Sequence, residues 1–210
     1  VLRGLTVSTF HALGLDILRL EHAALGYKKT ISIFDEHDRM TLIKELIKHS
    51  LSEWELDKAD QYAAQISRWK NLFITPEKAE SLADACPLTC TLYTAYSRQM
   101  RAYNAVDFDD LILQPVILFE SRPAVLEKWQ NKIRYLLIDE YQDTNQTQYQ
   151  LVKLLAGNLG RFTVVGDDDQ SIYAWRGAQP ENLAQLQKDF PLLKIIKLEQ
   201  NYRSTGRILK

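Results

Sequence analysis

The chain has 210 residues, 46% hydrophobic and 25% charged, enough to bury one substantial α/β core plus an appended or inserted unit. A net charge of −1 argues against a protein that grips nucleic acid through a broad basic surface, so any such binding should be local and assisted by stacking. No apolar run approaches the roughly 20 residues of a membrane span and the first residues do not resemble a signal peptide, so a cytoplasmic setting is expected.

Leu5 to Phe10 is short and rich in β-branched residues, which predicts a strand leading into Thr9, Phe10 and His11 and then a helix through Leu13, Ile17 and Leu20. By itself the Thr-Phe-His triplet reads as a helix cap with a packed aromatic. From about Phe34 to Tyr103 the periodicity is helical throughout. Leu42, Ile43, Leu46 and Ile47 form one stripe, Tyr62, Ile66, Trp69 and Phe73 a second, and Leu92, Tyr96 and Tyr103 contribute to a third. Aromatics at helical spacing read as core rather than as a platform for bases. Thr75-Pro76-Glu77 is a helix start. Cys86 and Cys90, with no histidine nearby, support neither a disulfide framework nor a zinc site and read as free structural thiols. Residues 21–105 are therefore expected to form an all-helical insertion, with 1–20 and 106–210 on either side belonging to one sheet-based domain.

Val106 to Leu111 is acidic and then apolar, which suits a helix N-terminus. Pro123 to Ile133 predicts a helix with Leu126 and Trp129 on its buried side. Tyr135 to Ile138 is a continuous apolar run, as in a strand buried on both faces, and it ends in Asp139 and Glu140. Ligands of open parallel sheets bind beyond the carboxyl ends of the strands, where this pair would emerge. Phosphate hydrolysis needs an oxygen ligand for Mg2+ and a carboxylate to orient or deprotonate water, and adjacent acids can supply both. The same pair also suits a plain solvated turn. Asn145 to Ala156 reads as a helix, Phe162 to Asp167 as a second buried strand, and Leu193 to Leu198 as a third. Alternating strands and helices indicate a parallel sheet.

Val165 to Ala178, VGDDDQSIYAWRGA, leaves a strand through three acids and Gln170 and then presents Tyr173, Trp175 and Arg176. Aromatics beside arginine suit single-stranded nucleic acid, because each base offers a face for stacking. A buried tryptophan is the alternative for Trp175. The clustered acids Asp139, Glu140 and Asp167 to Asp169 would also suit a metal-dependent nuclease, and the aromatics a non-catalytic single-strand binding module.

Taken in order, STFH, DFDDL, LLIDEYQDTN, VVGDDDQSIYAWRGA and LEQNYRST resemble the UvrD/Rep/PcrA group of superfamily 1 DNA helicases, over nearly the whole chain. The resemblance implies part of a P-loop NTPase-type (RecA-like) α/β motor domain with an inserted helical subdomain. It implies ATP and Mg2+ as cofactors, 3′-to-5′ movement on single-stranded DNA, and opening of duplex at single-strand/double-strand junctions in replication or repair. Asp139, with Glu140 beside it, would hold Mg2+, and Glu140 would activate water. Gln170 would sense the γ-phosphate, Tyr202 would stack on adenine, and Arg203 would act as an arginine finger. Thr9, Phe10 and His11 would touch the single strand, and Tyr173, Trp175 and Arg176 would grip its bases and backbone. One departure stands out. None of the eight glycines is followed by lysine, so the phosphate loop G-x-x-x-x-G-K-[ST] is absent, as is a second motor domain. With no methionine at Val1 and an abrupt close at Lys210, the chain is expected to be a piece of a longer helicase, inactive as an ATPase by itself.

Overall fold

Thr9 starts the first helix by lying in extended conformation while its Oγ1 accepts the Ala12 N–H at 3.2 Å. The helix, α1 (Phe10–Leu20), buries Ile17 and Leu18 and turns Leu20 to solvent. The computed structural model describes residues 4–50, 53–157, 160–174, 177–179 and 181–208. Among them the chain is α/β, mostly helical, with two short parallel sheets.

A two-residue strand, β1 (Ser32–Ile33), pairs in parallel with β2 (Ala105–Val106), so the chain enters and leaves the intervening helices side by side. Asn104 secures this clasp. Its Oδ1 accepts Lys28 N–H at 2.7 Å and its Nδ2 donates to Thr30 O at 2.6 Å. Between the strands lie α2 (Glu36–Ser50), α3 (Ala59–Asn71), α4 (Pro76–Glu80) and α5 (Pro87–Ala102). The three expected stripes meet there in one core of Leu42, Ile43, Ile47, Tyr62, Ile66, Trp69, Leu92 and Tyr96, joined by Tyr93. Phe73 lies in the left-handed region and packs instead against a separate core that holds Ile17 and Trp129, and Tyr103 is exposed. Thr75 caps α4 through Lys78 N–H, with Pro76 at its first position.

The helix after β2 is the pivot of the second half. α6 (Asp110–Ser121) packs on α1, on α7 (Pro123–Lys132) and on α8 (Gln146–Ala156), burying Ile112, Val116, Leu118 and Phe119 against Ile17, Trp129, Leu151 and Leu155. Proline has no N–H, so Pro115 inside α6 cannot bond the Leu111 carbonyl one turn back. Gly14 of α1 closes on that carbonyl, where an added Cβ would lie 1.8 Å from Leu111 O. α8 begins in a reciprocal capping box between Asn145 and Gln148.

The second sheet pairs β3 (Leu136–Ile138) with β4 (Phe162–Val164) in parallel, Leu136 opposite Phe162 and Ile138 opposite Val164. One face carries Leu136, Ile138, Phe162 and Val164 into a core with Tyr141, Tyr149, Val152 and, from α9 (Glu181–Asp189), Leu186. The expectation of strands buried on both faces fails, since Leu137 is 72% exposed. Two expected strands are also missing. Residues 5–9 and 193–198 carry no strand, and Val7 and Leu198 are both 87% exposed. A strand requires a neighbouring ladder to bond, and among the described residues neither segment has one.

Candidate nucleotide and nucleic-acid site

The carboxyl ends of β3 and β4 open on a common edge. Val165 N–H donates to Ile138 O at 2.8 Å and Tyr141 N–H to Val165 O at 2.9 Å, so the strands remain tied as they pass into loops. Asp139 and Glu140 leave β3 exposed, with Glu140 N–H donating to Asp139 Oδ1 at 2.9 Å. Glu140 has φ of 51°, a region uncommon for a residue with a Cβ. Gln142, itself buried, holds the carboxylate in place. Its Nε2 donates to Glu140 Oε2 at 2.7 Å, and its Oε1 accepts the Asp167 N–H at 3.0 Å. Gln170 Nε2 donates in turn to Asp167 Oδ2 at 2.6 Å. Asp139, Glu140, Asp167 and Gln170 thus form one hydrogen-bonded rim. Gly166 permits it, because a Cβ there would lie 2.8 Å from Gln142 Oε1 and 3.3 Å from the Tyr141 backbone nitrogen.

Two residues at this edge escape sequence reasoning. Gln142 looks like a polar residue in a turn, and only its two hydrogen bonds reveal it as the bridge between strands. Asp143 carries a buried Oδ1 that has no hydrogen-bond partner among the described residues. Burial, and then the negative charge of Glu140, raise its carboxyl above the usual range. The donor set fits Mg2+, which takes hard oxygen ligands, is commonly held by one or two carboxylates plus phosphate, and needs no larger cage. Among the described residues no group of three or more His, Cys, Asp or Glu is placed to hold a metal ion.

On the other side of the second core, Thr9 spends its hydroxyl on the cap and Phe10 is half-buried between two cores. His11 is exposed, its ring edge-on to that of Phe108 at 6.4 Å between centroids. Partial burial holds the imidazole below its ordinary value against the pull of Asp109. Tyr173 is 38% exposed. Trp175 and Arg176 lie outside the described residues. Tyr202 and Arg203 are exposed and bonded within their own turn, Tyr202 Oη to Gln200 Oε1 at 3.0 Å and Arg203 N–H to Asn201 Oδ1 at 2.9 Å. Among the described residues no hydrogen bond or ion pair brings either to the rim.

Behind Phe108 sits a charged cluster that periodicity did not reveal. Lys70 of α3 is 3% exposed, with Nζ 2.7 Å from Asp107 Oδ2 and 2.9 Å from Asp110 Oδ1. Tyr96 Oη donates to Asp107 Oδ2 at 2.8 Å, and Asp107 Oδ1 caps α6 by accepting Asp110 N–H at 2.9 Å. Burial alone would raise the Asp107 carboxyl, but the Lys70 charge and hydrogen bond outweigh it and leave the group below its usual value. Burial and the charge of Asp107 push Asp110 up to about 6. Burial opposes the charge on Lys70, yet the two carboxylates hold its ammonium well above the ordinary value. The signal was present in sequence. Lys70 stands one turn after Ile66 on a buried stripe, where a lone cation has to find an acid.

The description "UvrD/REP helicase N-terminal domain" matches residues 1–191. The chain belongs to this family. It is 55% identical over 210 residues to the ATP-dependent DNA helicase Rep of Escherichia coli (strain K12), covering 99% of this chain and 31% of that protein. Against the Rep helicase of Salmonella typhimurium the identity is 56%, with the same coverage. The ATP-dependent DNA helicase PcrA of Staphylococcus epidermidis is 43% identical over 205 residues, covering 97% of this chain and 28% of the relative. The chain therefore spans about a third of the length of the curated relatives it matches. Within the UvrD/REP domain, the rim at the strand ends and the DFDD cluster are linked through Asn71, which bonds both Asn145 and Asp109.

Proposed function

We propose that this chain is part of a Rep-like, ATP-dependent DNA helicase that moves 3′ to 5′ on single-stranded DNA and opens duplex at single-strand/double-strand junctions, in replication or repair. The observation that carries the reading is the rim, in which Glu140 and Gln170 are joined through Gln142 and Asp167 at the carboxyl ends of two parallel strands. The sheet is then the latter part of a RecA-like motor domain. Residues 21–105 form its helical insertion, and 1–20 with 106–210 form the domain itself. Mg2+, when bound with ATP, neutralises charge building on the β- and γ-phosphates.

Asp139, with Glu140 beside it, would hold the cation, and Glu140 would orient and deprotonate the attacking water. Gln170 senses the γ-phosphate and reports to Asp167, Gln142 and Glu140 through the bonds described. Tyr202 stacks on adenine, and Arg203 stabilises the transferring phosphate. Thr9, Phe10 and His11, with Tyr173, Trp175 and Arg176, face the single strand. A cytoplasmic setting at the nucleoid follows from this role.

Hydrolysis measured in the full-length protein tests the reading. Glu140→Gln should lower kcat by about 10²- to 10⁴-fold, the usual worth of general-base catalysis, while nucleotide binding survives. The 210 residues alone, lacking a G-K-[ST] loop, should turn over negligibly with Mg2+ and DNA. Unchanged hydrolysis in Glu140→Gln, or brisk hydrolysis by the 210 residues, would refute it.

A further inference from the structure

Asn71 is the last residue of α3, and its side chain is committed at both ends to groups outside the inserted helices. Its Oδ1 accepts Asn145 Nδ2 at 2.6 Å. Asn145 lies just past Glu140, across the turn of residues 141–143 that Thr144 locks by donating Oγ1–H to Tyr141 O at 2.7 Å. The Asn71 Nδ2 donates to Asp109 Oδ1 at 3.1 Å and to the Ser67 carbonyl at 2.9 Å. Asp109 takes a further hydrogen bond from Ser67 Oγ at 2.6 Å and follows Phe108, the ring against His11. Two segments therefore meet at one amide, the turn after the acids and the turn beside His11.

The amide has only one workable orientation. Flipped, it would set NH2 against the NH2 of Asn145 and a carbonyl against the Asp109 carboxylate, two repulsions replacing two bonds. The end of α3 is pinned as well, since Thr147 Oγ1 donates to Lys70 O at 2.6 Å. A shift of the turn after Glu140 accordingly reaches the turn beside His11 through Asn71.

Resting on the function proposed above, we infer that Asn71 is a positioning residue that couples the nucleotide rim to the DNA-facing segment at His11, without touching nucleotide or the reacting atoms. The coupling is a free energy shared by two sites, so it shows in the ratio of DNA-stimulated to basal hydrolysis and, reciprocally, in how nucleotide alters DNA affinity.

The test uses the full-length protein with Asn71→Leu, Asn145→Ser and the double variant. Leucine keeps the volume and removes both bonds. Serine keeps the α8 cap and removes only Nδ2, so Asn145→Ser alone carries the test if Asn71→Leu does not fold. Basal hydrolysis should persist, while stimulation by oligo-dT falls about 5- to 20-fold, within the usual range of allosteric coupling. The double variant should fall no further than the worse single one. The nucleotide-dependent change in oligo-dT affinity should shrink in parallel. Equal proportional losses of basal and stimulated rates, or multiplying effects in the double variant, would overturn the inference and leave the helicase reading intact. A parent protein with no DNA-stimulated hydrolysis would overturn the helicase reading and this inference with it.

Discussion

An ammonium group inside a helical core is stable only if acids surround it, and Lys70 has two. Removing the cation while leaving both acids buried is the costly change. Lys70→Met should destabilise the fold by about 3–5 kcal/mol, read from chemical denaturation. The pH dependence has a definite sign. Asp110 sits at about 6 in the fold, above its ordinary 3.8, so between those values the folded chain binds a proton that the unfolded chain has released. Its contribution therefore falls as pH rises through that window. Asp107 is depressed, so its contribution is present above 3.8 and is lost as pH drops through its folded value. Without Lys70, burial pushes both carboxyls up, and the deficit of the variant should be smaller at pH 5 than at pH 8. A deficit that is equal at the two values would show that the lysine acts by packing alone. The DFDD acids were legible as a helix start, and Asp107 does cap α6. Their pairing with a lysine from a helix far back in the sequence was not, because periodicity reports which face is buried and not what that face meets.

At the scale of elements, the close approach of α1 and α6 rests on the missing side chain of Gly14. Gly14→Ala adds about 1 kcal/mol of helix propensity. It also drives a methyl to 1.8 Å from a backbone oxygen that cannot swing away. Overpacking should win, with a net loss of about 1–3 kcal/mol in denaturant melts. A neutral or stabilising result would mean that the helices can part without cost. Most helices, although not α9, were read from sequence because cap and stripe are local evidence, as Thr9 and Thr75 show. Strands were not. Leu5 to Thr9 and Leu193 to Leu198 have strand composition, but a strand is a relation between segments, and composition cannot supply the second partner. The rim was legible at Asp139 and Glu140 from their chemistry and at Gln170 through the family resemblance, and illegible at Gln142, whose role is set by the loop that crosses it.

Across the whole molecule, the parallel clasp of Ser32–Ile33 with Ala105–Val106 sets the departure and return points of the helical stretch next to each other. Topologically that makes the stretch a cassette, and a short bridge across adjacent strands would reconnect the remainder. Electrostatics forbids the simple exchange. Lys70 travels with the cassette, whereas the acids it neutralises, Asp107 and Asp110, stay behind at the root of α6. Asp107→Asn combined with Asp110→Asn should therefore leave the Lys70 ammonium buried without its acids and weaken the intact chain, read from chemical denaturation. Chain descent and ionic dependence thus point in opposite directions, and a swap of this cassette between relatives succeeds only when the lysine and its two acids are inherited together.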